Sequence, residues 1–175
     1  MPTTVKTMTA WQRSQIGTKE NPLGSNNVIY NTHYYNQQVS GDGYAWCCAY
    51  QWDGFRECGA SELFFDGRKT AYVPTLHEWA RTKSLLTNEP KEGDLIIFDW
   101  NNNKVGDHVG YCTSATSDTI TTIDGNVDNM VTEITRDRKY VLAIIRPKYT
   151  PEPDSVCSAE TCPIIQFLTR LMKGD

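Results

Sequence analysis

Only three histidines occur in the 175 residues, and positive charge is not in excess: 17 Lys and Arg stand against 21 Asp and Glu, a formal net charge of −4. The basic residues are scattered, with no stripe among them. That balance argues against nucleic acid as the main partner, because phosphate binding needs a basic face. No apolar run approaches the roughly 20 residues of a membrane helix, so no membrane insertion is expected. The opening stretch MPTTVKTMTAW has no apolar signal core, so the chain is expected to be made in the cytoplasm without a signal peptide. There is no C-x-x-C pair, no H-E-x-x-H, no phosphate-cradling glycine loop and no internal repeat. The usual zinc and nucleotide sites are thereby disfavoured, and no metal or cofactor is expected.

What is present describes a folded globule. Hydrophobic content is 39% and aromatic content 11%, enough for one domain with a core of its own. Nothing demands a dimer, and a monomer is expected. The six cysteines are Cys47, Cys48, Cys58, Cys112, Cys157 and Cys162. A chain this long and core-rich needs no disulfide framework, and without a secretory signal most are read as reduced. Pairing of Cys157 with Cys162 into a local loop stays open. A zinc site from Cys47, Cys48, Cys58 and a histidine is disfavoured because two adjacent ligands fit a tetrahedron poorly.

The pattern predicts helices first and strands afterwards, the order of an α+β domain. A short helix is expected over residues 9–19, stopped by Gly17, followed by the loop chemistry of residues 21–27 and an Asn- and Tyr-rich stretch holding His33, Tyr34 and Tyr35. Large apolar positions from Trp46 to Cys58 predict a mostly buried helix ended by Gly59. Residues 75–83 predict another, with Thr75 as N-cap, Glu78 completing a capping box and His77 exposed. Strands are expected over residues 94–100, 108–112, 119–123, 131–134 and 141–145, joined as an antiparallel meander. The domain is expected to span residues 1–149. Residues 150–175 are read as a Pro-rich linker and a short amphipathic helix over 163–173.

Few side chains can carry chemistry. Cys47 follows a glycine-rich turn at the start of the buried helix, where partial positive charge and unpaired N–H groups favour the nucleophilic thiolate and could hold an oxyanion. Cys48 competes with it; the two side chains point roughly 100° apart on a helix, so only one can face a given base. His108 opens a strand beside a turn, a position from which its ring can enter a cleft. A catalytic imidazole needs a partner to orient it, and the segment Ile123-Asp124-Gly125-Asn126 offers Asp124 and Asn126. An ordinary Asp-Gly-Asn turn is the alternative reading of that segment.

Taken together, these residues resemble the CHAP family of cysteine, histidine-dependent amidohydrolase/peptidase domains. Five pieces carry the resemblance in the family's order. Residues 16–26, IGTKENPLGSN, are similar to an N-terminal G-x-x-E-x-P-x-G-S-N segment. Tyr44-Ala45-Trp46-Cys47 resembles the aromatic-x-Trp-Cys nucleophile motif. Residues 90–98, PKEGDLIIF, resemble the strand before the histidine, Asp107-His108-Val109-Gly110 the histidine motif, and Ile123-Asp124-Gly125-Asn126 an Ile-Glu-Gly-Asn segment. The resemblance implies a papain-like fold, with N-terminal helices packed on a C-terminal antiparallel β-sheet. It implies Cys47 as nucleophile, His108 as base, and Asp124 or Asn126 as the orienting group; Asp124 stands where the family usually has the longer Glu. Some members bind calcium through several acidic residues just before the nucleophile. Residues 39–44 hold one carboxylate, Asp42, so no calcium site is expected.

The implied substrate is peptidoglycan, cut at amide bonds of its peptides by an endolysin-like enzyme that reaches the cell wall after release. Trp46, Tyr44 and Trp100 are the foremost candidates for lining the substrate groove, with Tyr34, Tyr35 and Trp52 behind them. Two other readings stay open: a wall-binding or virion structural module on the same fold, and a Cys/His enzyme of acyl or peptidyl transfer.

Overall fold

The computed structural model describes residues 3–152. The tail helix and the Cys157/Cys162 pair considered above lie outside those residues. Four α-helices, α1 (Val5–Ser14), α2 (Ile29–Tyr35), α3 (Cys47–Glu57) and α4 (Val73–Thr82), precede six strands: β1 (Leu86–Thr87), β2 (Leu95–Phe98), β3 (His108–Ala115), β4 (Thr119–Val127), β5 (Met130–Asp137) and β6 (Val141–Ile145). The strands form one antiparallel sheet in the order β1-β6-β2-β3-β4-β5. The fold is therefore α+β, helices before sheet, as expected. No helix among the described residues is long and apolar enough to cross a membrane.

Several local expectations are corrected. The first helix starts at Val5 rather than residue 9, because the Thr4 hydroxyl accepts the Thr7 N–H and caps it. The Asn- and Tyr-rich stretch is helical as α2, ended by Asn36 in the left-handed conformation (φ 56°). The fourth helix begins two residues before Thr75. Its N-cap is Tyr72, and Pro74 occupies the first turn, where a missing N–H costs nothing. His77 on that helix is half-buried rather than exposed. The sheet is a meander only from β2 to β5; β6 crosses back to pair with β2 and carries the two-residue β1 on its outer edge.

Strand β2 explains the layering. All four of its residues are buried, as in a strand covered on both faces. Leu95 and Ile97 point to the main core with Cys48, Phe55, Leu76, Val109 and Tyr111. Ile96 and Phe98 point the other way, to Cys112, Ile120 and Ile144. A third cluster, Tyr30, Trp46, Ala49, Tyr50, Ile123 and Val131, joins α2 and α3 to β4 and β5. The buried helix α3 thus rests across β3 and β4, and its first turn lies over the strands that carry His108 and Asp124.

Candidate active site

The start of α3 is pinned before chemistry is considered. Trp46, the residue before the helix, is 0% exposed. Its indole Nε1 donates to Glu20 Oε1 at 2.8 Å, and its ring stacks on Tyr30 with centroids 5.6 Å apart. The other carboxylate oxygen of Glu20 accepts the Asn26 N–H at 2.9 Å. Glu20 thereby ties the loop after α1 to the entry of α3. Trp46 was expected to line a groove and does not: its whole side chain is spent on that anchorage. Cys47 is the first residue of the helix and is 6% exposed, while Cys48 is fully enclosed in the core. No acidic residue stands in the first turn to compete for its N–H groups.

His108 opens β3 opposite Phe98 of β2. Its Nε2 lies 3.0 Å from Asp124 Oδ2 on β4. The shorter Asp reaches the ring because the two strands approach closely at a glycine. A Cβ on Gly110 would sit 2.0 Å from Asp124 Oδ1, so only glycine leaves the carboxylate its place. On the other side, a Cβ on Gly125 would meet Tyr50 Cβ at 2.6 Å, so that glycine lets α3 settle on β4. Asn126 sits at φ 67° in the bulge that follows Asp124, and among the described residues it makes no hydrogen bond to His108. Of the two orienting candidates, the geometry brings Asp124 to the ring.

With Nε2 facing Asp124, the other ring nitrogen is free for the Cys47 sulfur, and ring and sulfur are close enough to shift each other's ionisation. The Cys47 thiol is held well below its ordinary range. The Cys48 thiol hydrogen-bonds it and, although burial opposes ionisation, the His108 ring with its charge and the Val109 N–H add to the effect. Cys48 moves the opposite way, well above its ordinary range, because it donates to Cys47, is buried and faces the neighbouring negative charge. His108 is pushed up to about 10. Burial pulls it down, but the hydrogen bond to Asp124 and the Cys47 thiolate outweigh that. The pair is thus a thiolate and an imidazolium, with Cys47 the ionised cysteine.

One residue of the cluster carried no sequence signal. Arg136 on β5 places Nη1 2.5 Å from Asp124 Oδ2 and 3.2 Å from Thr122 Oγ1. Its guanidinium lies over the rings of Phe98 and Trp100, at 4.9 and 5.3 Å from their centroids. Trp100 is 42% exposed, its ring 6.0 Å from the His108 ring and its backbone N–H donating to Asp107 Oδ2. It is the groove candidate that the structure places beside the histidine. Tyr44 is half-buried and packs edge-on against Tyr35.

A separate group, His33, Asp53 and Glu57, brings potential metal-ligating atoms within 4.8 Å of one another. Arg56 already fills its centre, 2.7 Å from Asp53 and 2.5 Å from Glu57, so the group reads as an ion-pair network.

The CHAP domain family model matches residues 39–126. The chain belongs to the CHAP family. Proteins with a CHAP domain are in general cysteine- and histidine-dependent amidohydrolases, associated with peptidoglycan. The matched span includes Cys47, His108 and Asp124, whereas Glu20 and Arg136 fall outside it. No curated protein matches the chain.

Proposed function

We propose that this CHAP protein is an endolysin-like peptidoglycan hydrolase that cleaves amide bonds in the peptides of the bacterial cell wall. The observation that carries the proposal is the buried array Cys47–His108–Asp124, charged as thiolate, imidazolium and carboxylate on three different elements. A binding module has no use for a desolvated thiolate.

In this reading the Cys47 thiolate attacks the amide carbonyl carbon, and the carbonyl electron pair moves onto oxygen. Unpaired N–H groups at the start of α3, with the positive end of the helix dipole, stabilise that oxyanion. As the C–N bond breaks, the His108 imidazolium gives its proton to the leaving amine. Neutral His108 then takes a proton from water, whose oxygen attacks the thioester and returns Cys47 as thiolate. Asp124 holds the ring in one orientation and balances its charge throughout. Trp100, exposed beside His108, offers an apolar face to the substrate. Cys48, 0% exposed, has no access to substrate; its thiol packs in the core and favours the neighbouring Cys47 thiolate.

Turbidity loss of purified Gram-positive cell walls tests this. Wild type and Cys48→Ala are expected to clear the suspension, and Cys47→Ala to leave it turbid. Clearing by Cys47→Ala would overturn the mechanism, and retained wall binding without clearing by any variant would favour a binding module instead.

A further inference from the structure

We propose that Arg136 is a positioning residue of the Cys47–His108–Asp124 array, the second cation that lets it hold two anions while also fixing the aromatic wall beside the histidine. The inference rests on the hydrolase reading above for its biological meaning, but its geometry and its test do not depend on the substrate.

The array buries two anions, the Cys47 thiolate and the Asp124 carboxylate, against one cation on His108. Burying an unbalanced charge is costly, and the cheapest relief is to return a proton to the thiolate. Arg136 removes that pressure. Its Nη1 is 2.5 Å from the same Asp124 Oδ2 that receives His108 Nε2, and its side chain is only 13% exposed. The remaining contacts show a built position rather than a passing surface pair. Thr122 Oγ1 accepts from the same Nη1 at 3.2 Å. The guanidinium lies over Phe98 and Trp100, two rings that stack on each other at 5.1 Å and both flank His108, at 6.2 and 6.0 Å. Arg136 therefore braces His108 twice, through Asp124 and through the rings. Arg suits this position and Lys does not match it fully, since only the planar guanidinium can stack and bond in one pose.

Among the described residues, four titratable or charged groups besides Cys47 and His108 face the array. From α3 come Cys48, whose thiol donates to Cys47, and Tyr50, whose hydroxyl feels the Asp124 charge. From β4 comes Asp124 itself, and from β5 Arg136. Among these, Arg136 is the cation added to His108.

Alkylation of Cys47 by iodoacetamide, followed by peptide mass spectrometry across pH, reads thiolate content without any wall substrate. Wild type is expected to label fast down to acidic pH. Arg136→Gln is expected to move the labelling midpoint up by about one unit, so that below both midpoints it labels up to about tenfold more slowly and at alkaline pH it regains the wild-type rate, because the cation it loses stands 2.5 Å from Asp124 Oδ2 and reaches Cys47 through Asp124 and His108. Arg136→Lys keeps the charge and is expected to fall between the two. A circular dichroism spectrum establishes that each variant is folded; should Arg136→Gln fail to fold, the comparison of Arg136→Lys with wild type carries the test. An Arg136→Gln or Arg136→Lys profile that overlays the wild type, while Asp124→Asn shifts it, would overturn the proposal. Failure of wild type to clear cell walls would overturn the hydrolase reading and leave this result standing.

Discussion

The charge state of Cys47 and His108 sets the pH range in which the array can work. Cys47 is held well below its ordinary range and His108 is raised to about 10. Between these limits sulfur keeps its negative charge and the ring its proton. As pH falls through the lowered Cys47 value, the thiolate is protonated and attack stops. As pH rises through the His108 value, the ring loses the proton owed to the leaving amine. Wall hydrolysis is therefore expected to hold a plateau through neutral pH and to fall on the alkaline side near 10. A pH profile of initial rates checks this, and a profile that rises only as a free thiol ionises would contradict it. At this scale much was legible in the sequence. Cys47, His108 and Asp124 lie in short motifs whose neighbours, Trp46, Gly110 and Gly125, have packing reasons for being where they are. Choosing Asp124 over Asn126 needed the strand geometry, since both occur in one four-residue segment. Trp46 was misread because its type alone does not reveal a buried partner for the indole N–H. Arg136 was invisible because its contact with Asp124 follows from how β4 pairs with β5 and not from any local spacing.

Elements hold these residues at working distances through a few anchors. The helix α3 brings Cys47 to the ring because Glu20 and Tyr30 seat Trp46 and because Gly125 lets the helix approach β4. Replacing Glu20 by Ala leaves the Trp46 indole N–H and the Asn26 N–H without their acceptor in a buried place. A loss of about 2 kcal/mol in urea unfolding is expected, with a larger proportional loss of activity than Glu20→Gln. Equal stability of Glu20→Ala and wild type would contradict the anchoring role. Helix α2 escaped the sequence reading because its residues, IYNTHYY, are weak helix formers and Val28 supplies no side-chain cap. The available signal was Asn36, a residue tolerant of the left-handed turn that closes it. For α4 the informative residue was Pro74 rather than Thr75.

Over the whole molecule, the site is assembled where a helix from the first half meets strands from the second. The sequence shows the order of elements, hence the α+β class, but not the return of β6 to the side of β2, because that pairing bridges residues roughly 45 apart with no local marker. The segment after β6 also folds back on the N-terminus. Tyr149 stacks on Phe55 with centroids 6.0 Å apart, the Thr150 N–H donates to Thr3 O at 3.1 Å, and Glu152 Oε1 accepts the Lys6 N–H at 2.9 Å. Residues 149–152 thus pack against the far end of α3 and the start of the chain. In the proposed reading this assembly breaks amide bonds with Cys47. The most direct measurement is the release of new amino groups and of new reducing sugar ends from purified cell walls, followed side by side for wild type and Cys47→Ala. Wild type is expected to release amines without reducing ends, and Cys47→Ala to release neither. Reducing ends from wild type, or amines from Cys47→Ala, would contradict that reading.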